Sequence, residues 1–169
     1  MRLRAVDYHS PVNVSIPDLW RRLSGWPGGR RLFSFLIGRF ARYSGSIGAR
    51  VRELEPGRCV LTMRDRPRVR NHLRSIHAAA LVTFGELASG LAMMAGMPER
   101  TRAIATKLEI EYLKKARGPL TAYGKAPVPK STERQEYLAT VSIRNADDEE
   151  VARVGVHWLV GPDASRDAS

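Results

Sequence analysis

A chain of 169 residues, 43% hydrophobic and 27% charged, is long enough to bury one ordinary core and too apolar to stay disordered. Its single cysteine, Cys59, excludes an internal disulfide and a cysteine-based metal cluster, and points to a reducing compartment. The net charge of +11 is lopsided: residues 1–75 hold 16 basic side chains, all arginine, and 5 acidic ones, while residues 76–169 hold 12 of each.

The chain start lacks a signal-peptide core, and no uncharged apolar run approaches the ~20 residues of a membrane span. A soluble, cytoplasmic, single-domain protein is expected. Residues 15–45 read as a helical N-terminal segment. Ser15 or Asp18 can cap a first short helix through Trp20 and Leu23, with Pro17 in its first turn. Trp26-Pro27-Gly28-Gly29 breaks it, and a second helix follows from about Arg30 to Arg42. Its apolar positions Leu32, Phe33, Leu36, Ile37 and Phe40 recur at helical spacing among arginines, which suits a helix covering its own domain or one lying on a membrane surface.

After Ser44-Gly45-Ser46 the period changes. Ile47 to Leu54 and Arg58 to Met63 read as a hairpin around Glu55-Pro56-Gly57. An arginine-rich stretch, Arg64 to Arg74, leads into one long apolar helix from Ala78 to Met97. Residues 102–114 alternate as a strand, with Ile104, Thr106, Leu108, Ile110 and Tyr112 on one face. Strands at Leu120–Ala126, Glu136–Arg144 and Val151–Val160 follow, and a loose polar tail is expected over 162–169. A helix so apolar should be wrapped by an antiparallel sheet. One sheet covers only part of it, so dimerisation by sheet extension is the expected completion, as a homodimer or a homotetramer.

Glu86 stands out as the only charged residue between His77 and Glu99. A buried carboxylate without a partner is costly, and a helix stripe or a wetted cleft is where such a group is tolerated. The helix start near Ala78 offers backbone N–H groups without an intrahelical partner, suited to an oxygen that becomes negative. Eight residues separate Ala78 from Glu86, about 12 Å along one helix, so the two cannot touch the same carbonyl. Across a two-fold axis, Glu86 of one protomer could face the helix start of its partner.

Asn71, then His77 at the start of the long helix, then Glu86 resembles the hotdog-fold acyl-CoA thioesterase superfamily, and Tyr43-Ser44-Gly45-Ser46-Ile47 with the preceding helices resembles an uncharacterised, thioesterase-like branch with a helical extension. Residues Leu108 to Ala122 are similar to the strand-turn-strand that follows the helix there. The resemblance implies an α+β hotdog fold, a core over 46–161, and an acyl thioester as substrate, with coenzyme A entering only as part of it or replaced by an acyl-carrier protein. It implies Glu86 as nucleophile or general base, Ala78 N–H as donor to the thioester oxygen, Asn71 orienting water or the carbonyl, and His77 shaping the helix entrance. The family usually has Gly after the His, where this chain has Ala78-Ala79. Two other readings stand beside hydrolysis: an acyl-CoA binding protein without turnover, and a hydroxyacyl thioester dehydratase, whose His and acid lie fourteen apart, as His72 and Glu86 do. The proline-rich turn usual in such dehydratases is missing at Leu73-Arg74-Ser75-Ile76.

Phosphates of the coenzyme would be met by Lys114, Lys115 and Arg117, with Arg74, Arg68 and Arg70 as a second group. No metal-ligand spacing, P-loop, GxGxxG or G-x-S-x-G elbow is present, so no metal and no separate cofactor are expected. Nucleic-acid binding would rest on charge alone.

Overall fold

The computed structural model describes residues 15–163; residues 1–14, and residues 164–169 of the tail expected over 162–169, lie outside them. The Ser15 hydroxyl accepts the Asp18 N–H at 3.2 Å and so opens helix α1 (Ile16–Ser24), with a proline in its first turn. A turn at Gly28, φ +79°, redirects the chain into α2 (Gly29–Phe40). Trp20 and Phe33 meet edge to face with ring centroids 5.0 Å apart and tie the two helices together. Of the side chains of α2, only Phe33 and Ile37 are buried, with Gly29 buried at its start. Leu32, Phe35, Leu36 and Phe40 stay exposed, so the helix covers its domain with one narrow stripe and keeps a second apolar stripe outside.

A single turn, α3 (Arg42–Gly45), leads to β1 (Arg50–Glu55), which starts later than the apolar pattern suggests because Ile47 is buried from a turn instead. β1 pairs with β2 (Arg58–Met63) across the expected Pro56-Gly57 turn. The long helix α4 (Ala78–Met94) stops three residues before Met97: the Ala95 N–H closes on the Leu91 carbonyl and the Gly96 N–H on that of Met93. Strands β3 (Thr101–Tyr112), β4 (Leu120–Lys125), β5 (Gln135–Arg144) and β6 (Glu150–Pro162) complete a six-stranded antiparallel sheet in the order β1-β2-β4-β5-β6-β3. β6 runs through Pro162, which pairs with Thr101, so the strand reaches into what reads as tail.

The sheet curls around α4. Ala80, Leu81, Phe84, Ala88, Leu91 and Ala92 point into a core shared with Leu61, Leu120, Val141, Val154 and Val156. At Gly124 a Cβ would lie 2.7 Å from the Ala88 carbonyl oxygen, so strand and helix approach to backbone contact. The indole N–H of buried Trp158 donates to Ser89 Oγ at 3.2 Å, and Ser89 in turn donates to the Glu86 carbonyl, which satisfies the polar groups of this layer. This is the α+β hotdog arrangement, with helices preceding it.

One expected face is split. A bulge between Ala105 and Lys107 shifts the register of β3 against β6. Leu108 and Ile110 face the helix side and are half-buried, whereas Ile104, on the other side of the bulge, is 53% exposed. One extra residue reverses which alternate positions point inward. β3 and β1 are the two edges of the sheet.

Candidate functional site

The segment between β2 and α4 is fixed by main-chain and charged contacts. The Asp65 carboxylate accepts from Arg70 Nε at 2.6 Å and from the Gly118 N–H at 2.9 Å. The Arg70 guanidinium, then the Gly118 amide, hold the Asp65 carboxyl below its ordinary range against the opposing effect of burial. The Ile76 N–H donates to the Ala116 carbonyl at 2.8 Å and the His77 N–H to that of Val69 at 2.8 Å. The start of α4 is thereby pinned between the segment before it and the loop joining β3 to β4.

Asn71 closes a turn. Its Oδ1 accepts the Leu73 N–H at 2.9 Å and the Ser75 N–H at 3.1 Å, which orients the side-chain amide and leaves its NH2 without an acceptor among the described residues. Arg74 sits in this turn at φ +56°. His77 is the N-cap of α4: its Nδ1 accepts the Ala79 N–H at 3.0 Å, which puts the ring proton on Nε2. Ala78, the first helical residue, has no acceptor for its N–H among the described residues and is exposed. Its carbonyl receives a long hydrogen bond, 3.4 Å, from the Tyr112 hydroxyl.

Ala78, Val82 and Glu86 follow one another at steps of four on α4, along the stripe its own sheet leaves uncovered. Glu86 is half-buried, and no hydrogen bond or ion pair engages its carboxylate among the described residues. Burial alone pushes its pKa above the usual carboxylate range. A basic carboxylate in a partly dry setting can take a proton from water, and an open N–H at a helix start can hold a developing oxyanion. A cavity of about 260 Å³ opens at the helix start, lined by Tyr43, Arg68, Arg70, His77, Ala79 and Thr83.

The candidate phosphate contacts divide. Lys114 is taken up by Glu149 at 2.5 Å, a pair that draws the Glu149 carboxyl down. Lys115 and Arg117 are exposed on the loop pinned to Ile76 through Ala116, which places them beside the helix start with Arg74. Arg70 is paired with Asp65, and Arg68 borders the cavity. His72 is exposed in the Asn71 turn, without a partner among the described residues. Two contributors are missed by sequence reasoning: Asp65, which latches onto a loop 53 residues away, and Tyr112, which reads only as an apolar strand position. Among the described residues no three His, Cys, Asp or Glu are grouped to hold a metal ion, and no helix is long and apolar enough to cross a membrane. Cys59 is buried in β2, and burial pushes its thiol far up, so it is inert.

The sequence profile of a family described as a domain of unknown function, DUF4442, matches residues 29–160. No curated protein matches the chain. Among solved structures, a structural-genomics crystal structure is similar at 30% identity and a TM-score of 0.73, over 87% of this chain and 98% of that one. A Pseudomonas aeruginosa protein of unknown function, described as a probable thioesterase, shares 20% identity at a TM-score of 0.70, over 81% and 97%. A Staphylococcus aureus thioesterase shares 15% identity at 0.64, over 72% and 99%. That staphylococcal protein has been crystallised with a glutamine changed to alanine and, separately, with a glutamate fifteen positions further on changed to alanine.

Proposed function

The chain belongs to the DUF4442 family, and we propose that it uses its hotdog fold to hydrolyse acyl thioesters at a site shared between two protomers. The observation that carries this reading is Glu86: a half-buried carboxylate with no partner among the described residues, on the same open stripe of α4 as the unoccupied Ala78 N–H. The thioesterase descriptions of the Pseudomonas and Staphylococcus proteins support it. So does the spacing of the two changes made in the latter, since Asn71 and Glu86 also stand fifteen apart.

In this mechanism the Glu86 carboxylate removes a proton from a water molecule as its oxygen attacks the thioester carbonyl carbon. The carbonyl oxygen takes up negative charge against the Ala78 N–H of the partner protomer, where the helix dipole adds to the hydrogen bond. The free NH2 of Asn71 is available to hold the water or the carbonyl. Collapse of the tetrahedral adduct breaks the C–S bond, and the protonated Glu86 returns its proton to the departing thiolate. The products are a carboxylic acid and a thiol. His77, engaged as a cap, shapes the entrance and transfers no proton. Lys115, Arg117 and Arg74 flank that entrance and suit the phosphates of a coenzyme A thioester.

Release of free thiol from acyl-CoAs of graded chain length tests this. Glu86→Gln keeps shape and hydrogen bonding but removes the base, and turnover should fall by about 10²-fold or more. An unchanged rate in Glu86→Gln overturns the assignment. Tight binding of the thioester by the unaltered protein with no turnover at all would instead make this a carrier of acyl-CoA.

A further inference from the structure

A second, larger cavity of about 410 Å³ lies where α2 and α3 meet β1, away from the start of α4. Arg31 and Arg39 of α2, Arg50 at the head of β1 and Arg66 after β2 all line it. None of these four arginines, nor the neighbouring Arg64, takes part in any ion pair among the described residues. Glu53 and Asp65, close in sequence to Arg50 and Arg66, pair instead with Arg58 and Arg70. The guanidinium of Arg64, then burial, then the guanidiniums of Arg31, Arg52 and Arg66 press Arg50 below its ordinary value.

Arg66 is built in place. Its Nη2 donates to the Ile47 carbonyl at 2.6 Å, and its Nε is fully buried with no acceptor among the described residues. Gly48, at φ +62°, leaves room for it: a Cβ there would lie 2.1 Å from Nη2. Like charges converging without a counter-charge oppose folding, and a buried donor without an acceptor adds to that cost. The remaining wall is apolar, from Phe35, Ile37, Leu61 and Leu87.

We propose that this cavity binds the phosphate groups of an anionic ligand. Forked guanidinium groups match phosphate oxygens in pairs, and several of them suit a multiply charged group better than a single carboxylate. The apolar wall would receive an organic portion when the phosphate is esterified. The site stands whether or not the protein hydrolyses thioesters, because it is defined by α2, α3 and β1 and uses neither Glu86 nor Ala78.

Calorimetric titration of the full chain with inorganic pyrophosphate and with phenyl phosphate, each at constant ionic strength set by sodium chloride, tests the proposal apart from the thioester site. Saturable binding of either is expected, with tighter binding of phenyl phosphate marking an organic ester as the occupant and tighter binding of pyrophosphate marking free phosphate. The double variant Arg39→Gln/Arg50→Gln should lose about tenfold or more in affinity. It should also melt no lower than the unaltered protein without ligand, because charge repulsion is relieved; this separates lost binding from lost folding. Arg102→Gln, on β3 outside the cavity, should bind as the unaltered protein does. Wild-type affinity in the double variant, or no saturable binding of either probe to the unaltered protein, overturns the proposal.

Discussion

Glu86 is set apart from the other carboxylates by what is missing around it. Asp65, Glu109, Glu149 and Glu150 each have a cationic neighbour that favours ionisation and lowers the pKa, whereas burial alone acts on Glu86 and raises it. The consequence for stability has a definite sign. A carboxyl whose folded pKa is raised favours the folded state fully below the unfolded value near 4.5, and that contribution is lost as pH rises through the raised value. Urea melts from about pH 4 to about pH 7 should therefore show Glu86→Gln gaining on the unaltered protein as pH rises. A constant gap would mean that the carboxylate is solvated as an ordinary surface group. The same ionisation governs the proposed chemistry: kcat/KM for thioester hydrolysis should climb with pH through a limb above the usual glutamate range. His77 and Asn71 are spoken for by neighbouring amides, and in both cases the engaged atom fixes which atom remains free.

At the scale of elements, the position of α4 depends on how closely it lies on the sheet. A Cβ on Gly85 would fall 2.5 Å from Val154 Cγ2 and 2.8 Å from its Cβ, a β-branched side chain with no free rotor to retreat through. Gly85→Ala should therefore destabilise by about 2 kcal/mol in denaturant melts, although alanine is by about 1 kcal/mol the better helix former. Stabilisation by the substitution would show that the helix can lift off the sheet freely. The elements themselves were largely legible from sequence. Ser15 as cap, Pro56-Gly57 as hairpin turn and the unbroken apolar run after His77 each carry a local physical cause. The bulge in β3 was not legible, because inserting one residue into an alternating strand leaves the apolar alternation intact and only changes which half faces inward. The candidate site divides in the same way. Glu86 and the helix start are marked by local contrast within the chain. Asp65 latching onto Gly118, and four arginines drawn from α2, β1 and the segment after β2, become a unit only once the sheet is assembled.

The whole molecule raises the question of how Ala78 and Glu86 cooperate. They share a stripe of α4 but lie about 12 Å apart along it, farther than one carbonyl can bridge. That stripe is the face the chain's own sheet leaves open, and β3 offers a free edge for a second copy to extend the sheet. In a two-fold dimer each site would take Glu86 from one protomer and the Ala78 N–H from the other. Two variants separate these contributions. Ala78→Pro removes the N–H at the first helical position, where proline is well tolerated, and His77 already holds the extended backbone, φ −63° and ψ 140°, that a following proline requires. It should fold normally and hydrolyse poorly, as should Glu86→Gln. Mixing the two after subunit exchange places both defects in one site of each hybrid and neither in the other. With random reassortment, half of the dimers are hybrids, so activity should recover to about a quarter of the unaltered level. Co-purification of two differently tagged variants shows that exchange has occurred. If hybrids form and activity does not return, the two residues do not meet across the dimer, and hydrolysis must be assigned to groups within one protomer.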